Sequence, residues 1–274
     1  MPELPDLEVI KENLTPRTVG RTVRGVKVFF PAFLKTWDPP VEELVGRQVT
    51  EVGRRGKFLL FHLEGELRLL VHLMRWGWVW HGRSSYAPTR ATAFLLSLDD
   101  GMDIRVIEPG RRKLARAWVL PPGEAGPVAE LGLEPLAPSF TPEALRGVLA
   151  GRRRQLKRLL TDQHLIAGIG NAYADEILFR AQLSPFRYAH TLSEPELDRL
   201  WRAIPETLRW AIGEIKRRIG DQLTDREVRD FLWVHGRAGK PCRVCGTPIE
   251  EVLVGGGRTD FCPACQNVNR PPAG

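Results

Sequence analysis

Four cysteines are the most specific chemical signal in this sequence. The 274-residue chain has no others, and they form two Cys-x2-Cys pairs, Cys242 with Cys245 and Cys262 with Cys265. Two thiolate pairs at this spacing are typical of a structural zinc site, with each pair on a tight turn and a β-hairpin between them. Disulfides are the alternative, but they are disfavoured in an intracellular chain. We predict one Zn2+ per chain, with no open position for catalysis.

A second signal lies between Asp162 and Glu176. Gly168 and Gly170 permit a tight turn, and Asn171 follows at the expected start of a helix. Backbone N–H groups at a helix N-terminus, assisted by the Asn171 amide, can bind a phosphate group. A Gly-x-Gly turn alone more often only separates two helices. Here it follows a basic run (residues 152–158), which favours a clamp for a nucleic-acid backbone.

The composition agrees with a polyanionic partner. Lys and Arg number 40 against 33 Asp and Glu, which gives a net charge of +7. Basic residues also cluster in three segments: 111–116, 152–158 and 216–218. A hydrophobic fraction of 43% argues against disorder. Because the apolar runs are short and the N-terminus does not look like a signal peptide, we expect a soluble cytoplasmic protein without a membrane segment.

Residues 1–127 are expected to form a sandwich or barrel of short strands behind one helix. That helix begins near Pro5 and places Leu7, Ile10 and Leu14 on one face. Closely spaced strands favour a sandwich or barrel. The strand candidates are Val23–Phe29, Arg47–Val52, Lys57–His62, Leu67–Leu73, Gly77–Trp80, Ala93–Leu98 and Met102–Ile107.

Residues 128–236 have a helical pattern. Thr141 is a predicted N-cap ahead of Pro142. Ser193 and Glu196 form a predicted capping box at the start of a long helix. Pro205 is expected to kink or divide that helix. Residues 237–274 contain the cysteine hairpin.

Four motifs, in this order, resemble the formamidopyrimidine-DNA glycosylase and endonuclease VIII family of bifunctional base-excision enzymes. They are the segments Pro2–Glu8, Arg54–Lys57, Asp162–Glu176 and Phe261–Gln266. The resemblance runs essentially from end to end. It implies an α+β multidomain chain: an N-terminal β-sandwich catalytic domain, a central helix-two-turn-helix domain and a C-terminal β-hairpin zinc finger. It also implies a monomer that acts at the bacterial nucleoid on double-stranded DNA containing oxidised bases or abasic sites.

The N-terminal residues can supply the chemistry of such an enzyme. Removal of Met1 would expose Pro2 as a secondary amine, and an α-amino group has a reference pKa of about 8. Part of it is therefore unprotonated near neutral pH and able to attack the sugar C1′, displacing the base and leaving a Schiff base. The resemblance makes Glu3 the proton shuttle. The acids of this segment could also simply complement a helix dipole.

The resemblance assigns four further residues. Lys57 corresponds to the second proton donor, used during β-elimination. Arg258 corresponds to the hairpin arginine that contacts phosphate and assists δ-elimination, although only three residues separate it from Cys262, one fewer than expected. Lys157 and Asn171 match positions that clamp the DNA backbone.

Flipping a base out of a duplex leaves a void that the enzyme must fill. Relatives fill it with a Met on one turn and an Arg and a Phe on another. Here Arg75, beside Met74, takes the Met position, and Leu114 takes the Phe position after Arg112. Leu can still insert between bases. The alternating residues of the first segment are expected to be core: Met74, Trp76, Trp78 and Trp80.

Two functions are compatible with these residues. One is removal of oxidised bases through a Pro2 Schiff base, followed by β,δ-elimination at the abasic site. The other, suggested by the altered wedge residues, is a damage- or abasic-DNA-binding relative with little or no turnover. Intact Pro2, Glu3 and Lys57 favour the enzyme.

The segment after the long helix bears on which lesion is removed. In relatives specialised for 8-oxoguanine, a loop there covers the flipped purine. Residues 219–237 leave little room for such a loop, and Val228, Phe231 and Leu232 suggest a further amphipathic turn. An endonuclease VIII-like preference for oxidised pyrimidines, ring-opened purines or abasic sites over 8-oxoguanine is therefore expected.

Overall fold

The chain folds into two compact units. The computed structural model describes residues 1–110, 113–254 and 257–267. The first unit combines residues 1–129 with 214–228, and the second combines 130–213 with the described residues from 229 onward. A short segment distant in sequence thus joins the N-terminal residues.

Helix α1 (Leu4–Thr18) opens the first unit. Glu3 and Asp6 form a reciprocal capping box, in which the Asp6 carboxylate accepts the Glu3 N–H at 2.8 Å. Leu7 and Leu14 are fully buried against the core. The helix predicted near Pro5 is confirmed.

Two four-stranded antiparallel sheets form the body of this unit. One has the strand order β1 (Val23–Val28), β6 (Thr92–Leu98), β7 (Met102–Ile107), β5 (Trp78–Arg83). The other has the order β2 (Val49–Arg55), β3 (Phe58–Leu63), β4 (Arg68–His72), β8 (Arg116–Leu120). Alternate residues of both sheets share one core, including Phe61, Val71, Phe94 and Val106. The predicted sandwich is confirmed, and β8 is a strand that the sequence analysis missed.

The second unit is helical. Its helices are α2 (Pro142–Leu149), α3 (Leu156–Leu160), α4 (Asn171–Arg180) and α5 (Glu194–Ile219), the last of which ends in the first unit. The Thr141 hydroxyl accepts the Ala144 N–H at 3.2 Å, and the Glu196 carboxylate accepts the Ser193 N–H at 2.8 Å. Both predicted helix starts are confirmed. Pro205 does not divide α5, since the helix runs unbroken from residue 194 to 219.

A β-hairpin of β9 (Glu250–Val254) and β10 (Gly257–Phe261) completes the second unit. A small core of Phe179, Val234, Cys242, Ile249 and Cys262 lies beneath it. In the described part of the chain, no helix combines the length and apolarity needed to cross a membrane.

Candidate active site and DNA-binding surface

A two-residue turn fixes Lys57 beside the start of α1. Gly56 and Lys57 connect β2 to β3, and Gly56 adopts a φ of 55°, a region that favours glycine. The Arg54 guanidinium pairs with Glu8 of α1 at 2.7 Å and donates to the Gly56 carbonyl at 3.0 Å. Lys57 therefore lies in the turn rather than on the strand where it was expected.

Lys57 is buried, with 6% of its surface exposed. Burial lowers the pKa of Lys57, and the negative charges of Glu3 and Asp6 partly oppose that shift. A lysine held in this way can exchange a proton more readily near neutral pH than a solvated lysine can. The turn thus brings together two of the predicted catalytic residues, Glu3 and Lys57.

Pro2 lines a cavity of about 240 Å3 in the first unit. The same cavity is lined by Arg75 and Trp76 and by the segment Thr224–Val228. The Met1 ammonium forms an ion pair with Glu227 at 2.7 Å.

The expected amphipathic turn is present in part: the Leu232 N–H donates to the Arg229 carbonyl at 3.2 Å, and Phe231 and Leu232 are buried. Val228 instead lines the cavity of Pro2 with residues 224–227. No short motif marks this segment, because it reaches the cavity only through its membership of the first unit.

The turn between β4 and β5 carries one set of predicted wedge residues. Met74 has a φ of 54°, and its N–H donates to His72 Nδ1 at 3.0 Å. Gly77 N–H donates to the Leu73 carbonyl at 3.0 Å, and a Cβ at Gly77 would lie 2.4 Å from that oxygen. The turn is therefore closely fixed. It leaves Met74 half-buried and Arg75 exposed.

His72 is a residue of this turn that the sequence analysis missed, since it belongs to no motif of its own. Burial lowers the pKa of His72 to about 4, with the nearby Lys57 and Arg116 charges acting in the same direction. The ring is therefore neutral at pH 7, and Nδ1 accepts the Met74 N–H. A neutral imidazole beside Lys57 adds no competing positive charge.

The expectation that alternate residues from Met74 to Trp80 belong to the core is wrong. Strand β5 begins only at Trp78, so Met74 and Trp76 lie in the preceding turn. Trp76 is 59% exposed. Trp78 and Trp80 are half-buried, and the Arg105 guanidinium lies 4.5 Å from the Trp80 ring centre.

A second wedge loop follows β7. Glu108 is fully buried, and its Oε2 accepts the N–H groups of Leu114 at 2.8 Å and Ala115 at 2.9 Å. This carboxylate closes the loop and holds Leu114 half-buried. Arg112, the other predicted wedge residue of this loop, lies outside the described residues.

In the second unit, Asn171 is the first residue of α4, as predicted. Gly168 has a φ of 88°, and Gln163 braces the turn by accepting the Gly168 N–H at 2.9 Å and donating to the Ile169 carbonyl at 2.7 Å. Asn171 lines a cavity of about 380 Å3 together with Lys157, Arg158, Thr161, Phe186 and Arg258. Three predicted DNA-contacting residues, Lys157, Asn171 and Arg258, therefore meet in one cavity.

Lys157 ties α3 to the hairpin. It is 7% exposed; its Nζ lies 2.6 Å from Asp175 Oδ1 and donates to the Arg258 carbonyl at 2.5 Å and to Thr259 Oγ1 at 3.0 Å. Arg258 is exposed and pairs with Glu251 at 2.8 Å. Lys157 thus fixes the backbone on which the Arg258 side chain is mounted.

Buried acids on α4 hold the same hairpin and the segment that precedes it. His235 Nδ1 lies 2.8 Å from Asp175 and 3.4 Å from Asp260 of β10. Burial and the Asp175 charge raise the pKa of Asp260, although the Gly236 N–H and His235 oppose that shift. The Glu176 carboxylate accepts the N–H groups of residues 233–235, each at 2.9 Å. No sequence motif marks these acids, because their role appears only when distant segments meet.

The four cysteines converge as predicted. Their sulfur atoms all lie within 4.8 Å of one another, with Cys245 and Cys262 at 3.5 Å and Cys242 and Cys265 at 3.9 Å. Tetrahedral zinc with Zn–S bonds of about 2.3 Å requires sulfur separations of roughly 3.8 Å. The Val244 N–H donates to Cys242 Sγ and the Cys265 N–H to Cys262 Sγ, both at 3.4 Å. The four sulfurs fit one structural Zn2+.

Pro2 shares its cavity with the turn that carries Arg75, and an amine freed there by removal of Met1 would suit covalent attack at a nucleotide taken out of a DNA duplex. These features define a class of nucleic-acid enzyme that combines base flipping with amine catalysis. Comparison with known proteins identifies the family. The model of the formamidopyrimidine-DNA glycosylase N-terminal domain matches residues 1–116, that of the formamidopyrimidine-DNA glycosylase H2TH domain matches 131–222, and that of the zinc finger found in FPG and IleRS matches 239–268. The chain belongs to the formamidopyrimidine-DNA glycosylase family.

Individual relatives agree over the whole length. The chain is 41% identical to formamidopyrimidine-DNA glycosylase of Thermus thermophilus, over 97% of this chain and 98% of that protein. The crystal structure of MutM (Fpg) from Thermus thermophilus matches with a TM-score of 0.85 at 37% identity, covering 98% of this chain and all of that one (100%). A complex of Lactococcus lactis Fpg with FAPY-dG-containing DNA matches with a TM-score of 0.87 at 26% identity, covering 97% and 100%.

Family membership decides between the two functions. The chain is a bifunctional DNA glycosylase and AP lyase of base-excision repair, with duplex DNA as its partner. A binding relative without turnover is not supported. The expected endonuclease VIII-like preference is also not retained, because the chain belongs to the formamidopyrimidine-DNA glycosylase family.

Proposed function

We propose that this enzyme removes oxidised and ring-opened purines, with Pro2 as its nucleophile once Met1 has been removed. One observation carries the proposal: Pro2 lines one cavity together with the segment Thr224–Val228 and the wedge turn. A flipped base needs such a cavity next to the attacking amine. The lesion class is supported by the Lactococcus lactis relative, whose complex contains FAPY-dG DNA.

In the proposed reaction, the Pro2 nitrogen forms a bond to C1′ as the bond from C1′ to the base breaks. Glu3 moves the proton that the ring oxygen and the leaving base require. Loss of the amine proton and opening of the sugar ring give the Schiff base between Pro2 and C1′. Lys57 then assists β-elimination by proton transfer from its buried position beside Glu3.

The second unit supplies contacts to the DNA backbone. Asn171 and Arg258 share a cavity and present an amide and a guanidinium to a DNA phosphate. Lys157 acts with them by holding the hairpin, and Arg258 also assists δ-elimination. Arg75, Met74 and Leu114 act as the wedge, to which the resemblance also assigns Arg112. The expected place of action is the bacterial cytoplasm, at the nucleoid.

Single-turnover excision on matched duplexes tests the lesion class. Duplexes containing formamidopyrimidine, 8-oxoguanine, thymine glycol or dihydrouracil differ only at one base, so rate differences report recognition in the cavity. We expect both purine lesions to be removed faster than both pyrimidine lesions. Faster removal of thymine glycol or dihydrouracil would contradict the proposal.

A further inference from the structure

Trp76 is a large aromatic side chain whose exposure has no structural explanation. It is 59% exposed, although a tryptophan is usually packed against apolar neighbours. Among the described aromatic residues it has no ring–ring contact, whereas Trp80 packs against Tyr86 and beneath Arg105. Trp76 is therefore not held in place for the stability of the sheet.

The backbone of the turn that carries Trp76 is held in one conformation. The Met74 N–H donates to His72 Nδ1 at 3.0 Å, and Gly77 closes the turn on the Leu73 carbonyl at 3.0 Å. Because a Cβ at Gly77 would lie 2.4 Å from that oxygen, the closure requires glycine. The left-handed conformation of Met74, with a φ of 54°, is maintained by these contacts.

Trp76 also lies in the right place to meet a base. It lines the same cavity as Pro2, whose volume is about 240 Å3 and whose lining also includes Thr224 and Arg226. The indole of Trp76 is a flat aromatic surface in the lining of this cavity. Every DNA base has an aromatic face that can stack on a side chain of this kind.

We propose that the indole of Trp76 stacks on the face of the everted damaged base and holds it beside Pro2. The inference deepens the proposed function and rests on it. Stacking recognises the face of the base rather than its edge, so Trp76 supplies affinity and orientation, while atoms of the segment Thr224–Val228 are left to read the edge.

Three variants separate stacking from other roles. Trp76→Phe keeps an aromatic face, Trp76→Leu keeps apolar volume without one, and Trp76→Ala removes both. Trp37→Ala, at a site 77% exposed and outside the cavity, is the matched control. Each protein is tested in single turnover on a formamidopyrimidine duplex and on a preformed abasic duplex, which offers no base for stacking.

We expect the ratio of base-excision rate to abasic-lyase rate to fall about 5- to 100-fold in Trp76→Ala and Trp76→Leu, as expected from the loss of one base–aromatic stack. Trp76→Phe should restore most of the ratio, and Trp37→Ala should leave it unchanged. An unchanged ratio in Trp76→Ala, or equal ratios for the Leu and Phe variants, would overturn the inference. A parallel loss of both activities would instead indicate that Trp76 fills the void in the duplex, and would also overturn it.

The proposed function fails by a different result. If the wild-type protein removes no purine lesion, or forms its covalent intermediate at a residue other than Pro2, the proposed function is wrong. If the wild type behaves as proposed and only the Trp76 series does not, the stacking inference alone is wrong.

Discussion

At the scale of single residues, the chemistry depends on charge placed where water is excluded. Lys57 is a compact ammonium buried beside two carboxylates, Glu3 and Asp6. Burial disfavours its charged form, and the carboxylates partly restore it. The proton on Lys57 is therefore held less tightly than the proton on a solvated lysine, which suits a group that must give one up.

The pH dependence of strand cleavage should report this residue. Because burial lowers the pKa of Lys57 below the usual value of 10.5, the ammonium is fully present below the lowered pKa and is lost as the pH rises through it. The wild-type cleavage rate on abasic DNA should fall on the alkaline side. Lys57→Arg, whose guanidinium stays protonated, should be slower but lack that alkaline fall. The same alkaline limb in both proteins would exclude Lys57 as its source.

At the scale of elements, a turn or hairpin is positioned by one or two buried polar side chains. Glu108 closes one wedge loop, His72 braces the other, and Lys157 supports the β10 strand of the hairpin. Each bonds backbone groups of the turn, loop or hairpin that it positions, so removing it disturbs a segment rather than a single contact.

Gly77→Ala should disrupt the wedge turn. The added Cβ would meet the Leu73 carbonyl at 2.4 Å, and a backbone oxygen cannot move aside without opening the turn. We expect the free energy of unfolding to fall by about 1–3 kcal/mol and the rate of base excision to drop strongly. Gly213→Ala, where no atom lies within 4 Å in a helix, is the control and should stabilise the protein by roughly 0.5–1 kcal/mol. Denaturant unfolding and single-turnover assays measure both; equal stability of the two variants would refute the steric argument.

Lys157→Met should destabilise the hairpin rather than only remove a DNA contact. It leaves the buried Asp175 carboxylate without the ammonium at 2.6 Å, a loss that typically costs about 3–5 kcal/mol. The double variant Lys157→Met/Asp175→Asn should recover much of that stability. Arg158→Ala, an exposed neighbour in the same cavity, should lower DNA affinity with little effect on unfolding. If Lys157→Met unfolds like the wild type, its role is contact alone.

The sequence predicts the parts of this fold and site that are encoded locally. Paired cysteines, the Thr141 cap and the turn before Asn171 each depend on residues a few positions apart, and all were confirmed. His72, Asp175 and the segment Thr224–Val228 act only after distant segments meet, so no short motif marks them. Trp76 shows the same limit: alternation suggested a core strand, whereas the strand begins two residues later.

At the scale of the whole molecule, the net charge of +7 favours DNA but is too small to act as a uniform field. Affinity must come from local contacts with phosphate. Arg258, exposed in the cavity of Asn171, is one such group.

The salt dependence of DNA binding should report the number of these phosphate contacts. Log K for a duplex with a stable abasic analogue should fall linearly with log salt concentration, and Arg258→Ala should reduce the magnitude of the slope by about 1. Arg146→Ala, whose guanidinium pairs with Glu194 at 2.6 Å outside that cavity, should leave the slope unchanged. Equal slopes for Arg258→Ala and the wild type would show that Arg258 does not bind a phosphate.

The central claim is that a proline amine forms the covalent intermediate. Borohydride reduction during turnover on an abasic or formamidopyrimidine duplex should trap one protein–DNA adduct. Intact-mass and peptide analysis should then show that Met1 is absent and that the adduct is on Pro2. Glu3→Gln, which keeps volume while removing the proton shuttle, should bind the duplex but excise little base. An adduct on Lys57 or another lysine, or full activity in a chain that still carries Met1, would contradict the account.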